Sequence, residues 1–248
     1  ELPVAALGVW HGRPAAFYAA GVMTLDAERA ERLPARSGPD SLSEVSVSSS
    51  GEFVGLVELD RVRVVRADGG DGELVASISG TARAIAVTST GQHAIVVVQD
   101  PSGVEALRVF ARREDSAPIA QLPLPGDTDS KHFITASADR LALASADQPL
   151  RLFELPSLAE VPCGPGVAQP ASCVQFSPNG ALLAVGRPDG HVLVLRRDGG
   201  VLAVIATHRG EVRALAWSAD GARLFAAGAD GFVRLLHPER GTELLNLG

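Results

Sequence analysis

The chain has 248 residues, 46% of them apolar, 21% charged and 4% aromatic, with 26 Gly and 16 Pro, enough apolar material for a packed core in one large domain or two small ones. Its 22 basic and 29 acidic residues leave a net charge of −7, and Lys131 is the single lysine; this balance speaks against a sequence-unspecific grip on nucleic acid, which needs a basic face. No apolar run approaches the roughly 20 residues of a membrane-spanning helix, and Glu1-Leu-Pro-Val4 lacks the basic start and apolar stretch of a secretory signal.

Position 1 is Glu and not Met, so we expect part of a longer polypeptide. The Arg-, Ala-, Val- and Gly-rich composition points to a bacterial source. Cys163 and Cys173 stand ten apart in no metal-type spacing. Two free thiols in a reducing cytoplasm are the expectation, with a Cys163–Cys173 disulfide as the alternative.

Along the chain one landmark returns about every forty residues, a short apolar strand ending in a small polar turn. It reads Val9-Trp-His-Gly12, Val47-Ser-Ser-Ser-Gly51, Val87-Thr-Ser-Thr-Gly91, Ile134-Thr-Ala-Ser-Ala-Asp139, Phe176-Ser-Pro-Asn-Gly180 and Trp217-Ser-Ala-Asp-Gly221. A second turn follows each one eight or nine residues later, at Gly21, Asp60, Asp100, Asp147, Asp189 and Asp230. Two turn signals in fixed phase through six copies mark an internal repeat.

Between the two landmarks lie Phe53-Val-Gly-Leu-Val, Ala94-Ile-Val-Val-Val, Leu141-Ala-Leu-Ala, Leu182-Leu-Ala-Val and Leu224-Phe-Ala-Ala. They are too short for helices and read as strands buried on both faces. After the second landmark come alternating strands with Arg outward: Val62-Arg-Val-Val65, Leu107-Arg-Val-Phe110, Leu150-Arg-Leu-Phe153 and Val233-Arg-Leu-Leu236, with Val192-Leu-Val-Leu195 at the same place. Hairpin turns such as Asp68-Gly-Gly and Asp198-Gly-Gly then lead to a more polar edge strand, for example Val201-Leu-Ala-Val-Ile or Glu243-Leu-Leu-Asn-Leu. For 27–32 a polar hairpin loop is favoured over a single helical turn.

Each unit is therefore an up-and-down four-stranded sheet that cannot bury both faces alone, and radial stacking solves this. The expected fold is all-β, a β-propeller of four-stranded antiparallel blades. Six blades are visible, at about 3–38, 41–79, 80–123, 126–162, 164–206 and 207–248, with a seventh conceivable upstream, all in one domain.

At this point the sequence resembles the WD-repeat propellers. The last unit, 207–236, matches best, and Val174-Gln-Phe-Ser-Pro-Asn-Gly180 and Pro188-Asp-Gly-His-Val-Leu-Val-Leu195 are close to the family pattern. The resemblance places Thr207-His208 where the family has Gly-His, and Asp230 at its turn Asp. It puts Ala226 and Gly228 at the Ser positions and Leu236 at the Trp position. The other units carry Leu25, Val65, Phe110, Phe153 and Leu195 there. A surviving His208–Asp230 pair is expected to be structural, with apolar packing as the main glue.

No enzyme signature emerges. The six histidines form no metal-type pair, Asp68-Gly-Gly-Asp-Gly72 leads into a strand and not into a phosphate-holding helix, and the second-landmark aspartates sit where turns bond an Asp to their own backbone. We expect no metal, no cofactor and no small-molecule substrate. A hydrolase or lactonase-like propeller with a site at the channel mouth is the alternative. The family resemblance implies a protein-interaction or sensing scaffold that meets a protein partner or neighbouring domain, and not nucleic acid or membrane. The candidate docking face comprises Arg83, Lys131, His132, Ser172, His208 and Arg209. The loop stretches 101–105, 112–118 and 164–170 carry the length excess of the middle units.

Overall fold

The structure, a computed structural model, describes residues 4–10, 13–18, 21–25, 30–34, 42–67, 73–113, 117–125 and 130–247. Every regular element among them is a β-strand. The contacts gather into two compact units, Glu1–Thr128 and Asp129–Gly248. Sheets that lean only on their chain neighbours divide readily between any two of them.

The first unit holds three four-stranded antiparallel sheets. Sheet 1 is β1 (Val4–Trp10), β2 (Arg13–Tyr18), β3 (Gly21–Leu25) and β4 (Ala30–Pro34). Sheet 2 is β5 (Leu42–Val47), β6 (Phe53–Glu58), β7 (Arg61–Arg66) and β8 (Glu73–Ser77), and sheet 3 is β9 (Thr81–Val87), β10 (His93–Gln99), β11 (Glu105–Ala111) and β12 (Ala120–Pro123). Residues 30–32 belong to β4, so they form no helical turn. Residues 26–29 and the hairpin turn expected at 68–72 lie outside the described residues.

The second unit repeats the arrangement. Sheet 4 is β13 (His132–Ala136), β14 (Arg140–Ser145), β15 (Arg151–Glu154) and β16 (Glu160–Val161). Sheet 5 is β17 (Cys173–Phe176), β18 (Leu182–Gly186), β19 (His191–Arg196) and β20 (Val201–Ala206). Sheet 6 is β21 (Val212–Trp217), β22 (Leu224–Gly228), β23 (Val233–His237) and β24 (Thr242–Leu247). β16, only two residues long, has no counterpart among the strands read from the sequence.

One hydroxyl builds the same hairpin in all five sheets from the second onward. Ser48, Thr88, Ser137, Ser177 and Ser218 accept hydrogen bonds from the amides of Phe53 (3.0 Å), His93 (3.1 Å), Arg140 (3.1 Å), Leu182 (3.0 Å) and Arg223 (2.9 Å). This side-chain bond replaces a missing backbone partner in the turn. In four of these turns the chain reverses through a left-handed Gly, at φ +76° for Gly51, +67° for Gly91, +69° for Gly180 and +71° for Gly221, a region that side chains disfavour.

Sheets pack face to face in chain order within each unit. In the first, Val57, Val62, Val64 and Ala76 of sheet 2 join Ile85, Val87, Ala94 and Val96 of sheet 3. In the second, Ala142, Ala144, Leu150 and Leu152 of sheet 4 meet Phe176, Leu183, Val185 and Leu195 of sheet 5. Ala184, Val192, Val194 and Ile205 of sheet 5 then meet Val212, Leu224, Ala226 and Leu236 of sheet 6. Gly186 lets sheet 6 approach: a Cβ there would stand 2.5 Å from Cys173 Sγ and 2.8 Å from Val212 Cγ1. Trp217 Nε1–H donates to the Gln175 carbonyl at 3.1 Å across the same interface.

The positions where the WD-repeat pattern has Trp are apolar and buried: Phe110, Phe153, Leu195 and Leu236 are all at most 1% exposed. The outward placement of the Arg in the third strand needs correction. Arg234 is buried, and Arg63, Arg108 and Arg151 are half-buried. Within each unit neighbouring sheets pack face to face, so alternation along a strand does not give a wet face, and three of these guanidinium groups turn to an acid. Arg63 pairs with Glu58 at 3.2 Å, and Arg151 binds Glu160 through two 2.8 Å bonds.

Cys163 and Cys173 are both free. Burial pushes the Cys163 thiol up and the Cys173 thiol up to about 12, so neither is an activated nucleophile. Ellman's reagent at neutral pH is expected to modify Cys163 slowly and Cys173 only after denaturation. Two rapidly labelled thiols in the native protein would contradict the packing of Cys173 against Val212.

Candidate functional site

In the second unit, the loops that precede β13, β17 and β21 and the turns that follow β14, β18 and β22 lie at the same end of their sheets, as an up-and-down order requires. Two of the three loops are tied to the facing turn by an aspartate. Ser130 donates its hydroxyl to Asp147 at 2.7 Å, and the Arg209 amide donates to Asp230 at 3.1 Å. In sheet 5 the acid is used locally: Asp189 accepts from the His191 amide at 3.1 Å and from Arg187 at 2.6 Å. In the first unit Asp100 likewise holds its own turn, accepting from the Ser102 and Val104 amides at 2.8 and 3.0 Å. The Ser130 hydroxyl depresses the Asp147 carboxyl, and the Ser102 hydroxyl depresses that of Asp100.

The most elaborate of these ties surrounds His208, whose side chain is completely buried. Its Nδ1 lies 2.9 Å from Asp230 Oδ1, and its Nε2 lies 3.2 Å from the Ala226 carbonyl oxygen. The backbone carbonyl at 226 thus occupies the place where the WD-repeat pattern supplies a hydroxyl. Gly228 has no side chain because the ring fills its space: a Cβ there would strike the imidazole and stand 2.8 Å from Asp230 Oδ1.

Arg234 completes the cluster. Its Nη1 donates to Asp230 Oδ2 at 2.9 Å and closes on His208 Nδ1. Its Nε points to Glu243 at 3.5 Å, and the guanidinium carbon lies 5.2 Å from the Phe232 ring centroid. Burial raises the Asp230 carboxyl, but the bonds from His208, the Arg209 and Phe232 amides and Arg234 outweigh it and hold the group well below the usual carboxylate range. Sequence reasoning found the His208–Asp230 pair and missed Arg234. The available signal was the Arg recurring at the second place of Val62-Arg63, Leu107-Arg108, Leu150-Arg151 and Val233-Arg234.

The six candidate docking residues divide. Lys131 and Arg209 are exposed at equivalent loops of sheets 4 and 6, the Lys131 ammonium lying 5.2 Å from the Phe133 ring centroid. His132 is partly exposed as the first residue of β13. Arg83 lies in β9 of the first unit, half-buried beside Glu105 at 3.5 Å. Ser172 and His208 require correction. Both are buried, and Ser172 donates its hydroxyl to the Val212 carbonyl at 2.5 Å, tying sheet 5 to sheet 6. Their side chains are committed to holding blades together and offer nothing to a partner.

Among the described residues no group of three or more His, Cys, Asp or Glu could hold a metal ion. None of the curated proteins matches the chain. Residues 174–247 match the family described as the anaphase-promoting complex subunit 4 WD40 domain. The matched segment coincides with sheets 5 and 6, where the Ser177 and Ser218 turns and the His208–Asp230 pair occur. The all-β, four-stranded antiparallel sheets and this match are together consistent with a WD40 β-propeller, and the similarity is to the WD40-repeat family.

Proposed function

We propose that this chain is a non-catalytic interaction or sensing scaffold of the WD-repeat type, a module of a larger bacterial protein or complex. WD40 domains in general mediate protein–protein contact, and the match of residues 174–247 to such a domain of a complex subunit carries the reading. The loop end of the second unit supports it in detail. Lys131 and Arg209 are exposed there on loops held by Asp147 and Asp230, so two cations are presented at little cost in loop ordering. A protein surface bearing carboxylates fits that end. The acidic composition and two free thiols fit a cytoplasmic setting.

Affinity capture from the native host, quantified for the wild-type chain and for the Lys131→Glu/Arg209→Glu double variant, tests the docking end. At least a tenfold loss of one captured partner is expected, as befits two charge reversals in an interface. Equal capture by both proteins would rule that end out.

A further inference from the structure

The turn after the first strand of a sheet is built to one pattern in Ser48-Ser-Ser-Gly51, Thr88-Ser-Thr-Gly91, Ser177-Pro-Asn-Gly180 and Ser218-Ala-Asp-Gly221. In each, the Gly amide donates to the carbonyl of the first residue, at 2.9 Å in the first turn and 2.8 Å in the others. The side chain at the third place meets the first residue's hydroxyl: Ser50 at 3.1 Å, Thr90 at 3.4 Å, Asn179 at 2.8 Å and Asp220 at 2.5 Å. Asn179 Oδ1 and Asp220 Oδ1 also accept from the amides of Ala181 and Ala222, at 3.0 and 2.9 Å. A carboxamide and a carboxylate thus serve this turn alike, but their chemistry differs. The chain has two asparagines, and Asn179 precedes Gly180 whereas Asn246 precedes Leu247. The amide nitrogen of a Gly, with no side chain beside it, is the least hindered nucleophile the backbone offers.

We propose that Asn179-Gly180 is a spontaneous modification site which the folded turn holds shut, so that the amide is lost only when the turn opens. The Gly180 nitrogen attacks Asn179 Cγ. The Gly180 N–Cγ bond forms, the Cγ–Nδ2 bond breaks, and ammonia leaves with the Gly180 amide proton. Water then opens the cyclic imide. Attack at Cγ restores the main chain and leaves an aspartate; attack at the α-carbonyl leaves an isoaspartate, with the main chain routed through Cγ.

The turn opposes the first step. Pro178 at the second place and the absence of a positive φ at Asn179 make it a type I turn, in which Asn179 ψ is about 0°. Gly180 N then lies alongside Asn179's own N. Ring closure must bring it alongside Cβ, about a third of a turn away around the Cα–C bond, because N and Cβ are neighbouring substituents of a tetrahedral Cα. That rotation breaks the Gly180–Ser177 hydrogen bond and the Ala181 bond to Oδ1. The two products fit differently. An aspartate has the Asp220 turn as its template, where the Ser218 hydroxyl and the Ala222 amide hold the carboxyl below its ordinary range. An isoaspartate lengthens the main chain at Gly180, where there is no room: a Cβ there would stand 2.8 Å from Ser137 Cβ of sheet 4. Asp220-Gly221 is the internal control, because an ionised carboxylate is a poor electrophile.

Incubation of the 1–248 chain at mildly alkaline pH, folded or in urea, tests this. Tryptic mapping reads the amide-to-acid mass change in the peptide spanning 152–196, and enzymatic methylation of isoaspartyl groups separates the two products. Conversion at Asn179 is expected to be at least about tenfold slower in the folded chain than in urea, as for a reaction that waits on local opening. Asn246 should keep its amide in both. Ser177→Ala, which removes the hydroxyl bonds to Asn179 Oδ1 and to the Leu182 amide, should speed conversion in the folded chain and leave the rate in urea unchanged. Asn179→Asp should keep the wild-type thermal midpoint. Equal rates for the folded and urea-treated wild type, or no conversion in urea, overturn the proposal whatever the variants do. A clearly lowered midpoint for Asn179→Asp refutes the likeness to the Asp220 turn, and an unchanged folded rate in Ser177→Ala refutes the turn's hold on the site.

Discussion

Truncating Phe176 to Ala is expected to lower the unfolding free energy by about 3–5 kcal/mol and the thermal midpoint by roughly 10 °C. The ring is 1% exposed, at the C-terminal end of β17, and it packs among Leu183 and Leu195 of its own sheet and Ala142 and Leu152 of sheet 4. Its amide also points to Thr135 Oγ1 of sheet 4 at 3.4 Å. Removal deletes a large apolar surface and leaves a cavity between two rigid sheets that cannot collapse into it. Phe176→Leu, which keeps most of the volume, should lose about 1 kcal/mol. Chemical denaturation followed by far-UV circular dichroism measures both. A loss below about 1 kcal/mol for the Ala variant would show that sheets 4 and 5 do not meet at this ring.

The second large effect is expected at the buried cluster on sheet 6. Arg234→Met keeps the stem but removes the guanidinium from Asp230, and should destabilise by about 2–4 kcal/mol, since breaking a buried pair strands its other charge. Asp230→Ala should be worse than Arg234→Met, because it strips acceptors from His208, Arg209, Phe232 and Arg234 together. The pH dependence has a definite sign. The Asp230 carboxyl in the folded chain lies below its ordinary value of 3.8, so its contribution is complete above that value. It fades as pH falls below about 4, when the unfolded chain takes up the proton first. The wild-type thermal midpoint should therefore fall on acidification below pH ~4, and Asp230→Asn should start lower and fall less steeply. Parallel acid profiles for the two proteins would remove Asp230 from the account.

Much of the architecture is written in local chemistry. A strand reveals itself by a short β-branched run such as Ala94-Ile-Val-Val-Val98, and a hairpin by the Ser or Thr and the left-handed Gly that close its turn. These signals need only neighbours in sequence. The His208–Asp230 pair was legible for a related reason, since each member sits at a fixed phase of the repeat. Ser172 and Arg234 were misjudged because what packs around them is not legible from their own stretch of chain. Ser172 looks like a loop serine until the Val212 carbonyl, forty residues on, accepts its hydrogen bond. Arg234 looks like a surface arginine on an alternating strand, because alternation implies a wet face only when nothing stacks on that face.

The order of strands, the turn chemistry and the apolar identity of each strand were determined by the sequence alone, because period and turn residues act within one sheet. Which neighbour each apolar face meets was decided only in three dimensions. Ala184 and Val194 of sheet 5 and Leu183 and Leu195 beside them are equally apolar, yet the first pair meets Val212 and Leu224 of sheet 6 and the second meets Ala142 and Leu152 of sheet 4. Burial depends on what arrives from elsewhere in the chain, and no local pattern carries that information.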